Sequence, residues 1–108
     1  MSSAQFDHVS VLKKSNVYFG GKCISHIVQF EDGTQKTIGV ILPTEAPLTF
    51  ETRVPERMEI ISGECRVWIA EKQDSELFRA GQSFYAPGNS YFKIETSDVL
   101  DYVCHFEG

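Results

Sequence analysis

Hydrophobic and polar residues alternate with a period of two along most of the chain. In the segment that begins at Lys22, Ile24, Val28 and Phe30 fall on one face of an extended chain, and Cys23 falls on the other. This alternation is typical of a β-strand with one face buried. No segment has a sustained period of 3.6 residues, so the sequence predicts a protein without long helices.

Turn residues separate these segments at short intervals. Asp32-Gly33 predicts a tight hairpin, and Pro43 and Pro47 interrupt the ladder because proline has no N–H to donate. The predicted strands are 22–30, 35–42, 48–53, 56–61, 64–70, 76–79, 83–86, 91–95 and 101–106. Many short strands at this spacing predict an all-β fold, either an antiparallel sandwich or a small barrel.

The chain of 108 residues is long enough for one domain. We expect an N-terminal extension over 1–14, which either adds an edge strand or stays loose, and a single domain over 15–108. An excess of 15 acidic over 10 basic residues disfavours nucleic acids and anionic membranes as partners. The sequence has neither an apolar run of about 18 residues nor a signal-peptide pattern, which predicts a cytoplasmic protein.

Three cysteines, Cys23, Cys65 and Cys104, are odd in number and widely spaced. This arrangement matches neither a disulfide framework nor a CxxC pair. All three lie in apolar, strand-like segments, so we expect buried free thiols in a reducing compartment.

Two motifs near the centre of the chain have the spacing of the two cupin motifs. Glu56 is followed by Gly63 after six residues, and Gly81 is followed by Pro87-Gly88 after five. The sequence from Gly39 to Phe92 therefore resembles a cupin, which implies an antiparallel jelly-roll barrel.

A longer pattern resembles one small single-domain cupin family, the pyrimidine/purine nucleoside phosphorylases. The matching residues are Tyr18-Phe19-x-Gly21-Lys22, Gly39-Val40, Pro55-Glu56-x-Met58-x-x-Ile61-Ser62-Gly63, Ala80-Gly81-x-x-Phe84, Pro87-Gly88-x-Ser90-x-Phe92 and Tyr102-x-Cys104. The resemblance implies cleavage of nucleosides by inorganic phosphate to a free base and a pentose 1-phosphate. We also expect a homodimer, in which the N-terminal extension with Val9 and Val11 covers an exposed edge strand.

The sequence departs from metal-binding cupins at every histidine position. Such cupins use an HxH triplet, a glutamate four or five residues later, and a late histidine. In this chain those histidine positions fall on Thr49-x-Glu51 or Phe50-x-Thr52, and on Tyr91 or Phe92. His8, His26 and His105 lie outside the frame, so we predict a site with no metal and no cofactor.

Glu56 and its neighbours are open to two interpretations each. Glu56 either satisfies backbone donors at the bend after Pro55 or is a carboxylate at the barrel mouth. Arg53 and Arg57 form a solvated rim, or one of them turns inward to bind phosphate. Asn89 belongs to a turn whose N–H groups either serve the turn or form an anion nest.

On the phosphorylase interpretation, the resemblance implies roles for eight residues. Glu56 and Glu51 are the candidate catalytic carboxylates, and Thr49, Thr52, Arg53, Asn89, Ser90 and Tyr91 are the candidate substrate contacts. The alternative is a non-catalytic small-molecule-binding or sensor cupin, since one barrel hosts many functions.

Overall fold

Eleven β-strands and one short 3-10 turn form the secondary structure in a computed structural model that describes residues 4–107. The strands are β1 (Ser10–Val11), β2 (Asn16–Tyr18), β3 (Cys23–Gln29), β4 (Gln35–Ile41), β5 (Leu48–Thr52), β6 (Glu56–Ser62), β7 (Glu64–Ile69), β8 (Glu76–Arg79), β9 (Ser83–Ala86), β10 (Ser90–Glu95) and β11 (Leu100–Phe106). The 3-10 turn spans Phe19–Gly21. Within the described range, no helix is long and apolar enough to cross a membrane.

The strands form two antiparallel sheets. The first sheet has the order β1-β3-β4-β11-β6-β9, with β2 also paired to β3, and the second has the order β5-β10-β7-β8. Every strand pair is antiparallel. The all-β prediction is confirmed.

The predicted hairpin at Asp32-Gly33 joins β3 to β4, with Ile24 opposite Val40 in the register. Asp32 accepts hydrogen bonds from the backbone N–H of Thr34 at 2.9 Å and from its hydroxyl at 2.6 Å. Gly33 adopts a positive φ of 89°, a conformation that glycine reaches without steric cost. The local sequence therefore fixes this turn.

The core lies between the inward faces of the two sheets. Alternate residues of β6 and β7 are buried there, whereas the central strand β11 has four consecutive buried residues, Tyr102 to His105. The buried core consists of Cys23, Ile41, Met58, Ile60, Cys65, Val67, Phe84, Ala86, Phe92, Ile94, Leu100, Tyr102 and Cys104. All three cysteines are buried and free, as predicted.

The N-terminal segment adds an edge strand, which decides between the two alternatives that its sequence left open. Ser10 pairs with Gln29 and Val11 with Val28 on β3. Phe6 also packs edge-on against Phe30, with ring centroids 5.2 Å apart. Residues 1–3 of the predicted extension lie outside the described residues, and the boundary at residue 14 stays a prediction.

Gly39 lies where β3 and β4 approach too closely for a side chain. A Cβ atom at this position would lie 2.4 Å from the Ile24 carbonyl oxygen and 2.8 Å from the Ser25 Cβ. Because the nearest atom belongs to the backbone, a small side-chain movement does not relieve the clash.

We therefore expect Gly39→Ala to lower the free energy of unfolding by about 3 kcal/mol through overpacking. The control is Gly33→Ala, where the added Cβ meets nothing within 4 Å but φ is positive, at an expected cost of about 1 kcal/mol. Urea unfolding measures both variants. A Gly39→Ala protein as stable as Gly33→Ala contradicts the close approach.

Candidate active site at the barrel mouth

The end of β5 and the starts of β6 and β10 meet at one end of the barrel. Thr52 pairs with Ser90, and Glu56 lies between Ala86 and Phe106 in the first sheet. We call these five residues the barrel mouth. The chain places a carboxyl and two hydroxyls there, above an apolar interior.

Hydrogen bonds fix the turn before β10 onto the end of β5. The Thr52 hydroxyl donates to the Pro87 carbonyl at 2.6 Å and accepts from the Ser90 N–H at 3.0 Å. The Asn89 N–H donates to the Arg53 carbonyl at 3.1 Å. The N–H groups of residues 89 and 90 therefore hold the turn and are not free to form the anion nest considered above.

Gly88 allows this turn to lie against the bend between β5 and β6. A Cβ atom at residue 88 would lie 3.0 Å from the Arg53 carbonyl oxygen and 3.1 Å from Pro55 Cδ. The Pro87-Gly88 motif thus has a structural reason at the mouth: a side chain at residue 88 would crowd the neighbouring backbone segment.

Glu56 is half-buried, and its partner is a thiol. The Cys104 Sγ–H donates to Glu56 Oε1 at 3.4 Å. Burial raises the pKa of Glu56, and the hydrogen bond from Cys104 opposes that shift only in part. Burial and the neighbouring carboxylate raise the pKa of Cys104, so the thiol stays protonated and acts as the donor.

Phe50 and Phe92 are cross-strand neighbours on the inward face of the second sheet. Their rings are stacked, with centroids 5.3 Å apart and an interplanar angle of 11°. Phe50 and Thr52 lie on the inward face of β5, whereas Thr49 and Glu51 are exposed on its other face. The sequence left two alignments with the histidine positions of metal-binding cupins open. The inward-facing side chains fit the one that places Phe50, Thr52 and Phe92 at those positions.

These residues do not fit a transition metal. Two phenyl rings offer no donor atoms, the Thr52 hydroxyl serves the turn, and Glu56 is a single carboxyl. Within residues 4–107, no three His, Cys, Asp or Glu side chains converge to hold a metal ion. Transition metals require several convergent donors of these types.

Three of the predicted site residues lie away from Glu56. Thr49 and Glu51 are exposed on the outward face of β5, and Tyr91 lies on the outward face of β10 opposite Glu51. The side-chain alternation of a strand sends neighbouring residues to opposite faces. These side chains therefore do not contribute to a site around Glu56.

The outward face of the second sheet has two shallow hollows. Tyr91 lines one of about 400 Å³ together with Trp68 and Lys93. The other, of about 520 Å³, has Arg79 on its wall, and Arg79 is ion-paired with Glu64 at 3.1 Å. Neither hollow includes Glu56.

The two arginines that flank Glu56 have different surroundings. Arg57 lies on the outward face of β6, where its Nε contacts Glu107 Oε1 and its Nη1 contacts the Ser83 hydroxyl, each at 3.3 Å. Arg53 is exposed on the bend, and its guanidinium forms no ion pair or hydrogen bond within residues 4–107. Of the two, Arg53 has the guanidinium without a partner among the described residues.

His105 has a structural role on the outward face of the first sheet. Its Nδ1 lies 2.8 Å from Lys36 Nζ and its Nε2 lies 2.8 Å from Glu59 Oε1. An ammonium only donates, so Nδ1 accepts and Nε2–H donates to the carboxylate. Burial lowers the pKa of His105 below its ordinary value, which favours this neutral tautomer.

Sequence reasoning missed two features of this site. It placed Cys104 only in the core, whereas the thiol also contacts Glu56. It treated Phe19 only as part of a motif, whereas the ring packs against Phe50 at 5.0 Å. The unusual Phe-Gly-Gly sequence was the available signal for Phe19, and alternation along β11 was the signal for Cys104.

The fold and the barrel mouth define a cupin-type barrel. The chain superimposes on a Bacillus subtilis oxalate decarboxylase (S161A mutant) with a TM-score of 0.66 at 14% identity. The match covers 85% of this chain and 27% of that chain. At this identity the likeness shows the fold alone, and it confirms the prediction of a cupin-type barrel.

The chain belongs to the pyrimidine/purine nucleoside phosphorylase family, whose model matches residues 13–106. It is 83% identical to the pyrimidine/purine nucleoside phosphorylase of Acinetobacter baylyi over the full length of both chains. The relative of the same name from Methylococcus capsulatus is 61% identical and covers 95% of this chain and 98% of its own. The resemblance seen in the sequence is confirmed.

A crystal structure of a protein of unknown function from Acinetobacter sp. ADP1 has nearly the same fold. Its TM-score is 0.96 at 83% identity, and the match covers 97% of this chain and 100% of that chain. The fold of this chain is therefore shared with an experimentally determined relative.

The raised pKa of Glu56 predicts a stability that depends on pH. Because the folded protein holds this proton more tightly than the unfolded chain, Glu56 makes the protein less stable as the pH rises from 4.5 through the raised pKa. Gln does not titrate and keeps an oxygen that accepts from Cys104. We expect Glu56→Gln to be more stable than the wild type above this window and equally stable below it.

Urea unfolding at several pH values measures this difference. Glu45→Gln removes an exposed carboxylate and serves as the control, with little expected change. A Glu56→Gln protein whose stability follows the wild type at every pH means that burial does not perturb Glu56.

Proposed function

We propose that this protein is a nucleoside phosphorylase that converts pyrimidine and purine nucleosides and inorganic phosphate to free base and pentose 1-phosphate. The observation that carries the proposal is the half-buried carboxyl of Glu56 at the barrel mouth, in a chain of this family. Burial leaves this carboxyl with one weak donor, the Cys104 thiol. A carboxylate so poorly solvated interacts strongly with any positive charge that develops beside it.

The reaction has the charge development that such a carboxylate stabilises. An oxygen of phosphate attacks C1′ of the pentose, and the glycosidic C1′–N bond breaks with its electron pair leaving on the base. The base then takes a proton, and the pentose carries positive charge while both bonds are partly broken or formed, as in glycoside hydrolysis. Glu56 opposes that charge in its ionised form.

Arg53 supplies the cation for phosphate in this proposal. It is exposed beside Glu56, and its neighbour Arg57 is engaged with Glu107 and Ser83. A guanidinium binds phosphate oxygens through two parallel hydrogen bonds. A phosphate bound by Arg53 next to Glu56 places both the attacking oxygen and the Glu56 carboxylate close to C1′ of the pentose.

Ser90 and Asn89 supply polar contacts to the sugar or base. Ser90 is half-buried at the mouth, and its hydroxyl is a donor and an acceptor for a ribose hydroxyl. Asn89 is exposed on the turn in a left-handed conformation, with φ at 49°. The turn that Thr52 holds in place positions both side chains.

We also propose a homodimer in the cytoplasm. The outward face of the first sheet carries an apolar row across three strands, in which Val17 pairs with Ile24 and Ile24 with Val40. Val17 is 58% exposed and Ile61, also on the outward side, is 50% exposed. A second copy related by a two-fold axis would cover this face, and the three free thiols suit a reducing compartment.

Release of base that requires phosphate tests the activity. We expect uridine and purine nucleosides to yield free base and pentose 1-phosphate with phosphate present, measured by chromatography. Glu56→Gln should fold normally and lose about 100-fold in kcat, the scale of removing one well-placed electrostatic contact. Glu45→Gln should keep full turnover.

Three results contradict parts of this proposal. Base release that is equally fast without phosphate identifies a hydrolase. Full turnover in a folded Glu56→Gln variant reduces Glu56 to a structural residue. Binding of nucleosides that are never cleaved supports a non-catalytic binding cupin.

The assembly has its own test. Light scattering should give a mass about twice that of the 12.2 kDa chain, and Val17→Asp should lower it toward the monomer by placing a charge on the buried face. Thr49→Asp, a change on the outward face of the other sheet, is the control. A wild-type mass of one chain at micromolar concentration rules out the dimer.

A further inference from the structure

The backbone at Phe19 adopts a conformation that is costly for a phenylalanine. Its φ is 54°, and the two glycines that follow have φ values of 63° and 103°. Glycine adopts this left-handed region freely, whereas a bulky residue there is an outlier that needs compensation. The side chain of Phe19 is therefore kept in this turn despite the strain it brings.

The ring of Phe19 bridges the two sheets. It follows β2 at the edge of the first sheet and packs against Phe50 on β5, the edge strand of the second sheet. The two ring centroids lie 5.0 Å apart at an angle of 72°. On the opposite side of the barrel, Phe78 and Phe84 make the corresponding contact between sheets at 5.2 Å.

Phe19 is one end of a chain of five rings that ends at Phe78. Phe50 stacks on Phe92, and Phe92 packs edge-on against Phe84 at 5.2 Å. Exposure falls from 42% at Phe19 to 1% at Phe92 and 2% at Phe84. Phe78, at the other end of the chain of rings, is half-buried, whereas a larger part of Phe19 stays open.

The contact with Phe50 connects this open aromatic surface to β5, the strand that ends at the mouth. Phe50 is two residues before Thr52 on the same inward face of β5. One face of Phe50 is occupied by Phe92, so the exposed part of Phe19 is the aromatic surface left for a ligand. We name Phe19 and Phe50 the aromatic wall.

We propose that Phe19 is a substrate-positioning residue whose ring contacts the base of the nucleoside at the aromatic wall. This inference rests on the proposed function, because it assigns the base subsite of the same mouth. Aromatic stacking recognises the flat face that every base has and tolerates different ring sizes. A hydrocarbon ring also has no donor or acceptor with which to reject a purine or a pyrimidine, which suits a broad base preference.

The strain at Phe19 makes it possible to separate function from stability. Phe19→Gly removes both the ring and the unfavourable Cβ, so the melting temperature should stay unchanged or rise. The same variant should raise the KM for uridine and for inosine by about tenfold, as expected for loss of a base–aromatic contact. The KM for phosphate should stay the same, since the ring does not touch it.

Two further variants define the contact. Phe19→Leu keeps apolar bulk without a flat ring and should also raise the KM for both nucleosides. Tyr85→Ala removes an aromatic ring that is 63% exposed on the outward face of β9, and it should leave both KM values unchanged.

The outcomes separate this inference from the proposed function. A Phe19→Gly enzyme with a lower melting temperature and an unchanged KM overturns the inference, because the ring then only supports the fold. If the wild type cleaves no nucleoside, calorimetry with uridine alone decides instead. If Phe19→Gly binds uridine more weakly than the wild type, the base contact at Phe19 is supported even though the phosphorylase activity is not. If neither protein binds uridine, the base contact at Phe19 is overturned.

Discussion

The packing of aromatic rings between the two sheets is the interaction on which the rest of this structure depends. Phe50 comes from the second sheet, Phe84 from the first, and Phe92 lies between them in direct contact with both. This contact sets how far apart the sheets lie and therefore the width of the mouth. Burial of rings of this size contributes about 2–3 kcal/mol each, more than surface charges offer.

The same packing explains why this cupin barrel has a mouth without metal ligands. Rings at positions 50 and 92 take the places of two imidazoles, so the interior gains apolar contacts and loses donor atoms. Glu56 keeps its place in the frame but gains a thiol partner in place of a cation. Its carboxyl is thus a half-buried acid whose pKa is raised by burial.

Phe19, Asn89 and Glu56 each have an unfavourable conformation or environment. Phe19 has a left-handed backbone, Asn89 has another, and Glu56 is ionised only at a cost. Each residue is held in place by its surroundings. Phe19 packs against Phe50, the Asn89 N–H donates to the Arg53 carbonyl, and Glu56 lies on β6 between two paired strands. Unfavourable features of this kind are typical of functional sites, where the remainder of the fold supplies the stability.

The sequence by itself determined the strands from β3 to β11, the Asp32-Gly33 hairpin and the family, because alternation and turn residues act over a few neighbouring positions. It did not decide which of Thr49-x-Glu51 and Phe50-x-Thr52 faces inward, since a shift of one residue reverses every side chain of a strand. Only the tertiary structure settled that, through the pairing of β5 with β10 and the packing of Phe50 on Phe92. The contacts of Glu56 with Cys104 and of Phe19 with Phe50 join residues distant in sequence, and such contacts arise only when the sheets close on each other.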